Sequence, residues 1–358
     1  MRTLKTVGWG LYLTCSWTWC IGMFLPVILM HRYGWLGFLI FTVPNVIGCA
    51  AFGYVVKTPE RSKALVEKYK TAISLFAIVT IAFHAFFIAM LANMHVPEFS
   101  IWIPIGILVI ASLLSFLPTR LWPVLAGLLW CFSILLGITL LPIQTVPQGS
   151  LPWQDAIWLL PITTFGFFLC PYLDPTFHRA LQCSPSKHSF GIFGITFILM
   201  VLVTYLYQGT ILSALTILLG LHLALQSIFT ISAHIKEGLR IESISRKGPF
   251  IAVGVFAYLV AIAIAHRPGT TPELAIDDYL RFFVFYGLVF PGVVATFMLT
   301  DRVFTPLRIA LFALVALLSL PLLEVGYIGN QAWLSVLPVI VLLTWAFADR
   351  NTYSTKQI

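Results

Sequence analysis

Charge is what this sequence has least of. Of its 358 residues only 9% are Asp, Glu, Lys or Arg, against about 25% in an ordinary soluble domain. A chain so poor in charge cannot cover a folded surface in water. Short alternating segments of the kind that build a membrane β-barrel are also missing. So are the spacings that carry familiar chemistry: CxxC, HExxH, DxxxD, GxSxG and a Gly-rich phosphate loop do not occur. The six cysteines (Cys15, Cys20, Cys49, Cys131, Cys170 and Cys183) lie inside or beside apolar runs. They read as buried apolar side chains rather than as ligands or a disulfide framework. No stretch is polar enough to house a soluble catalytic or binding domain, so function is expected within a membrane and enzymatic activity is not.

What is present is hydrophobic sequence, 59% of the chain, in repeated runs near the roughly 20 residues that a helix needs to cross hydrocarbon. These runs predict an all-α integral membrane protein with about twelve spans at 8–30, 34–56, 71–92, 101–118, 121–142, 156–176, 189–207, 210–235, 249–266, 282–300, 305–324 and 331–348. The basic start, MRTLKTVGWGLYLTCSWTWC, leads into a full apolar run with no small-residue cleavage site, so an uncleaved first span is expected. With the N-terminus inside, 18 of the 21 Lys and Arg fall on the cytoplasmic side, and only Arg32, Arg267 and Arg281 fall outside. That bias sets the orientation, with both termini cytoplasmic in a plasma or inner membrane. It also accounts for the net charge of +8 without nucleic acid as a partner.

The stretch 57–70, KTPERSKALVEKYK, reads as a short amphipathic surface helix. Segments 143–155 and 267–281 read as the longest external connections. Asp277 and Asp278 in the second are expected to be solvated, and Glu324 is expected to be structural.

An internal repeat is visible. Gly22–Pro26 reads GMFLP and His31–Gly37 reads HRYGWLG; Gly166–Pro171 reads GFFLCP and His188–Gly194 reads HSFGIFG. Five spans separate the copies, an odd number, so the second unit is inverted relative to the first. Inverted repeats interrupted by Gly or Pro at equivalent places point to a secondary transporter with its site near the midplane, because freed backbone groups survive in lipid only beside a cavity or a protein partner. The predicted organisation is a five-helix repeat over 1–142, an inverted one over 143–300, and two further helices with a tail over 301–358.

The residues Thr164–Ala180, TFGFFLCPYLDPTFHRA, resemble the Gly-aromatic, Pro-His and Arg-Phe segment of the sodium:solute symporters, on the first helix of the second repeat. Gly34–Gly48, GWLGFLIFTVPNVIG, is similar to that family's second core helix. The resemblance covers about a fifth of the chain and implies the leucine-transporter fold of the amino-acid/polyamine/organocation superfamily. The family is usually longer, with about thirteen spans. It carries an adjacent Ser/Thr pair on the third helix of its second repeat that helps bind sodium. Here Gly220–His234 reads GLHLALQSIFTISAH, and alignment on the helix end puts Leu221 and His222 in the pair's place.

The expected function is secondary transport of a small organic solute, coupled to sodium or protons, with no other cofactor. The alternatives are a sensory or regulatory module that keeps the fold without flux, and an intramembrane transferase. A substrate pocket is expected where Trp17, Thr18, Trp19, Cys20 and Gly22 of the first span meet Thr163, Thr164, Phe165 and Gly166 of the sixth. His222, Gln226, Thr230 and His234 stand four apart on one helix face; the first three are candidates for ion or proton coupling, with interhelical hydrogen bonding the equal alternative for His222. His234 reads as a boundary residue and the lone His84 as packing. Asp174 is expected either to stop a helix or to gate through a salt bridge with Arg179.

Overall fold

The computed structural model describes residues 2–140, 148–213 and 215–354, with side chains through 348. The expected loop residues 143–147, the Arg350 side chain and Lys356 lie outside the described residues. Among those described there is no strand. Nine helices among the described residues are long and apolar enough to cross a membrane, and Trp102–Ser115 and Ala332–Ala348 are shorter apolar helices. The protein is a helical, multi-pass membrane protein.

The chain begins with α1, Arg2–Trp17, and resumes after two non-helical residues as α2, Cys20–Val56. The predicted first span is therefore cut in its middle. Within α2 the chain turns at Gly34, whose φ of 62° and ψ of −146° suit a residue without Cβ. Beyond the turn, a Cβ on Gly37 would lie 2.2 Å from the Leu29 carbonyl oxygen, so the two limbs of α2 touch backbone to backbone. Pro26 and Pro44 remain inside the helix; the first break comes before Pro26 rather than at it.

Next comes α3, Pro59–His95, capped by the Thr58 hydroxyl and bent at Tyr69. Segment 57–70 is thus helical as expected, but it runs on into the third span. After α4 (Trp102–Ser115) and α5 (Trp122–Leu140) the chain enters α6, Leu160–Leu169, a 3-10 turn at Cys170–Tyr172, and α7, Pro175–Cys183. This second interruption falls at Pro171, where the missing amide and the ring both oppose helix continuation.

Then follow α8 (Ser189–Tyr207), α9 (Ile217–Ile241), α10 (Ile244–Ala265) and α11 (Pro272–Val284), the last continued by π-helical turns at Phe285–Val289 and Val294–Met298. Two shifts from expectation stand out. Helix α9 starts seven residues late because Thr216 caps it through the Leu219 amide. Thr271 likewise caps α11, which turns most of the expected external segment 267–281 into helix. Helices Pro306–Leu323 and Val336–Ser354 close the described chain.

Helix α3 is central: 89% of its most apolar window is buried, against 22% for the helix over Pro306–Ile328. The peripheral helices instead turn Leu307, Leu311, Leu314, Leu317 and Leu318 outward, as lipid requires. One apolar core runs from Trp9 through Phe283 to Ala332, and a smaller cluster joins Phe165 to the C-terminal helices through Leu288, Phe312 and Val339.

Candidate functional site

The two interruptions are buried, and several of their backbone groups find side-chain partners. A helix end leaves carbonyls and amides without intrahelical partners, and burying them unpaired is costly. At the end of α1, the Cys15 carbonyl accepts from Thr230 Oγ1 at 3.3 Å, and the Ser16 carbonyl accepts from the Trp19 indole. At the start of α2, the Cys20 amide donates to His84 Nε2 at 3.3 Å. His84 Nδ1 lies 2.8 Å from the Thr80 carbonyl, an acceptor only, so that nitrogen carries the proton and Nε2 accepts. The lone histidine of the third span is a fully buried cap for the broken first helix.

The second interruption ends at Asp174, the N-cap of α7. Its Oδ1 accepts from the Thr176 amide at 2.6 Å and from Thr176 Oγ1 at 2.7 Å. A carboxylate there also suits the positive end of the helix. The Ser16 hydroxyl donates to Thr176 Oγ1 at 3.0 Å, tying the two breaks together. Asp174 does not pair with Arg179. Arg179 projects from the middle of α7 to Glu237 on α9, its Nε 2.9 Å from the carboxylate, and Arg240 reaches the same carboxylate at 2.7 Å. A carboxylate spent on the helix cap faces the start of α7, whereas Arg179 lies more than a turn further on. His234, expected at the membrane boundary, is fully buried. It stands 3.7 Å from Asp174, with Trp19 edge-on to its ring at 5.6 Å.

Between the breaks remains a cavity of about 10 Å³ lined by Trp17, Trp19, Ile21, Gly22, Asn45, Phe167, Cys170 and Tyr286. That is about the space of a single water, far below the roughly 300 Å³ of the smallest ordinary ligand pockets. Trp19 fills the middle, 4.2 Å from the Trp17 ring and 5.2 Å from that of Tyr286 between ring centres. Trp17 is held by its indole donating to Asn45 Oδ1 at 2.7 Å.

Of the nine residues expected to line a pocket, Trp17, Trp19 and Gly22 do so. Thr18 turns back to the Thr14 carbonyl at 2.7 Å, and Cys20 contributes its backbone to His84 and, through its carbonyl, to the Tyr279 hydroxyl at 2.9 Å. On the sixth span the expectation is one turn early. Helix α6 continues to Leu169, so Phe167 and Cys170 reach the cavity. Thr163 instead bonds the Leu159 carbonyl at 3.1 Å, Thr164 is only partly buried and does not line the cavity, and Phe165 packs toward the C-terminal helices. Gly166 meets the backbone of the π turn, where an added Cβ would lie 2.6 Å from the Tyr286 carbonyl oxygen.

The α9 residues divide. Thr230 reaches the first break, but Gln226 donates to Ser133 at 3.0 Å and His222 packs at a tilt against Tyr207, 5.9 Å between ring centres. Leu221, 47% exposed, faces outward. The hydroxyl that meets the broken helix is Thr230, about two turns beyond the place that alignment on the helix end assigns, and its chain neighbours are Phe229 and Ile231. Asn45 and Tyr286 had no sequence signal beyond polarity within an apolar run, whereas His234 lay on the α9 stripe and was expected only at the boundary.

Charge gathers at both ends of the bundle. The end that carries the N-terminus holds the Arg179–Glu237–Arg240 group. At the other, Asp278 accepts from Arg281 at 2.6 Å and its second oxygen is ion-paired with Arg267 at 3.2 Å, Arg281 also binds Glu324, and Arg32 stands 4.0 Å from Asp277. Asp278, with 8% of its side chain exposed, is not a solvated loop residue, and the three basic residues assigned to one face by charge bias share this cluster. No protein-family model matches the chain, and no curated protein matches it significantly.

Proposed function

We propose that this protein is a secondary active transporter of a small organic solute, working by alternating access around the two broken helices. The observation that carries the reading is the pair of interruptions, Thr18–Trp19 and Cys170–Asp174, joined at the centre by Ser16 and Thr176. Non-helical backbone at membrane depth is tolerated where it serves a cavity or a protein partner, and broken helices flanking a midplane site are a recurring transporter device. In this reading the turn at Gly34 divides α2 into two spans, and α6 with α7 form one. With the two shorter apolar helices the count becomes twelve, a five-plus-five core with two helices after it, both termini cytoplasmic. The similarity to sodium:solute symporters is part of the same proposal.

The ion-paired clusters at the two ends act as gates. Both are closed here, and Trp19 occupies the solute's place. Opening either end requires breaking one charge cluster and swinging Trp17 and Trp19 off the cavity.

A second reading, a sensory or regulatory module, is favoured by the small cavity itself: a protein that never carries solute has no need of a vacant centre. Flux through proteoliposomes separates the two. A panel of amino acids, organic acids, nucleobases and vitamins is offered under sodium and proton gradients. Gradient-driven uptake of one class supports transport. Absence of uptake for every solute, in vesicles shown to contain folded protein, overturns it in favour of the module.

A further inference from the structure

We propose that Asp174 and His234 share one exchangeable proton and form the proton-coupling site of this protein. The coupling role rests on the transport reading above; the proton itself does not.

The argument is one of donors and acceptors. Both side chains are fully buried. His234 Nδ1 lies 2.9 Å from the Thr230 carbonyl, which can only accept, so that nitrogen holds a hydrogen. Nε2 then faces Asp174 Oδ1 at 3.7 Å. Were the ring neutral and the carboxyl ionised, a lone pair would confront a carboxylate oxygen across 3.7 Å. Neither His234 Nε2 nor Asp174 Oδ2 has a hydrogen-bond partner within the protein. A buried carboxylate and an unfilled imidazole nitrogen are each costly alone. One added proton relieves that opposition, either as an imidazolium beside a carboxylate or as a carboxylic acid beside a neutral ring. Uptake takes that proton from water and release returns it to water, with no other reactant.

The neighbours do not supply the missing hydrogen. On α3, His84 is committed to the Cys20 amide and the Thr80 carbonyl. On α7, His178 is held by Ser62 at 2.9 Å and by the Tyr172 carbonyl at 3.0 Å. Glu237, one turn from His234 on α9, is neutralised by Arg179 and Arg240. The remaining titratable groups that face the pair are the phenols of Tyr12 and Tyr286 and the thiols of Cys49 and Cys170; of these, the Tyr286 hydroxyl is paired with Thr80 and the two thiols donate to carbonyls.

Position gives the pair its consequence. Asp174 begins α7, His234 touches Trp19, and Thr230, whose carbonyl orients His234, also binds the end of α1. Loss of the proton sets the carboxylate of the second break against the ring nitrogen on α9, beside the ring that Trp19 packs on. A protonation event here is therefore felt by both broken helices.

The test uses full-length protein in detergent. Thermal unfolding is followed between about pH 5 and 8, where an imidazole ordinarily titrates, for the wild type, Asp174→Asn and His234→Gln. Asn keeps the ability to cap α7. The expected result is a pH-dependent midpoint in the wild type and its loss in both variants. A dependence unchanged in both variants overturns the proposal. If a variant does not fold, infrared difference spectra of the wild type across the same range decide: a carboxyl or imidazolium band change supports the pair, and its absence overturns it. The series is repeated with sodium replaced by choline. A sodium-dependent shift abolished by Asp174→Asn, without pH dependence, replaces the proton by sodium. A pH response lost in both variants, in protein that moves no solute, keeps the proton pair and removes transport.

Discussion

Gly22 and Gly166 both stand at the ends of broken helices, yet replacing each by alanine should have opposite consequences. At Gly166 the new Cβ would sit 2.6 Å from the Tyr286 carbonyl oxygen, 3.4 Å from its carbonyl carbon and 3.5 Å from the Gly287 Cα. Carbon–oxygen contacts settle near about 3.3–3.6 Å, so something must retreat by most of an ångström. The obstacle is backbone, in a π-helical turn whose Tyr286 carbonyl also accepts from Cys170 at 3.2 Å. Overpacking of this kind costs about 1–3 kcal/mol, partly offset by the roughly 1 kcal/mol that alanine gains over glycine within a helix. At Gly22 the nearest atoms are the Trp17 carbonyl at 3.7 Å and Phe197 at 3.9 Å, ordinary contact, so only the helical gain remains. Gly166→Ala should therefore unfold earlier than wild type, by a net of up to about 2 kcal/mol, and Gly22→Ala should match or exceed it. The assay is thermal unfolding of both variants in one detergent at one concentration. Equal midpoints, or a less stable Gly22 variant, would refute the packing argument at the second break.

His84→Leu removes the acceptor for a buried amide at the start of α2 and should cost about 1–3 kcal/mol, with thermal unfolding as the readout; a variant as stable as wild type would show that Cys20 has another acceptor. Glu237→Gln leaves Arg179 buried beside a neutral partner and should cost about 3–5 kcal/mol, while the double variant Arg179→Met with Glu237→Leu should recover much of that loss. Asp301, on the connection after the second π turn, has its carboxyl held below the usual carboxylate range by the hydrogen bond from Lys68. Its small contribution is therefore present near neutral pH and fades as pH falls through its lowered value, and salt should weaken it. With both side chains largely solvated, Asp301→Asn should leave the unfolding midpoint unchanged at high salt.

The helical class and the recurring apolar runs were legible because lipid imposes a blunt requirement, some twenty apolar residues per crossing, and Gly34, Pro171 and Asp174 punctuate the chain where it turns or breaks. The first break was harder to see. It falls at Thr18–Trp19, in a run with neither Gly nor Pro, because Trp19 donates into the Ser16 carbonyl and His84 waits for the Cys20 amide. These are tertiary contacts with no local signature. The cavity wall on the sixth span was misplaced by one helical turn for a similar reason, since Gly166 serves close packing against Tyr286 rather than the break. His234 and Asp174, 60 residues apart, gave no sign of meeting; a four-residue stripe on α9 was visible, but which of its members faces the breaks depends on how the helix is rotated against α1 and α7.

The most direct test of the transport account is a thermal-shift screen of the purified, monodisperse protein against a solute library, run in sodium, in potassium and across pH. A ligand that binds only the folded state raises its stability by mass action. The account predicts that one class of small organic solute shifts the midpoint, that the shift depends on pH, and that it is lost in Asn45→Ala, which releases Trp17 over the cavity. No shift from any solute or ion would contradict it and leave a closed helical bundle whose breaks serve a partner rather than a passenger.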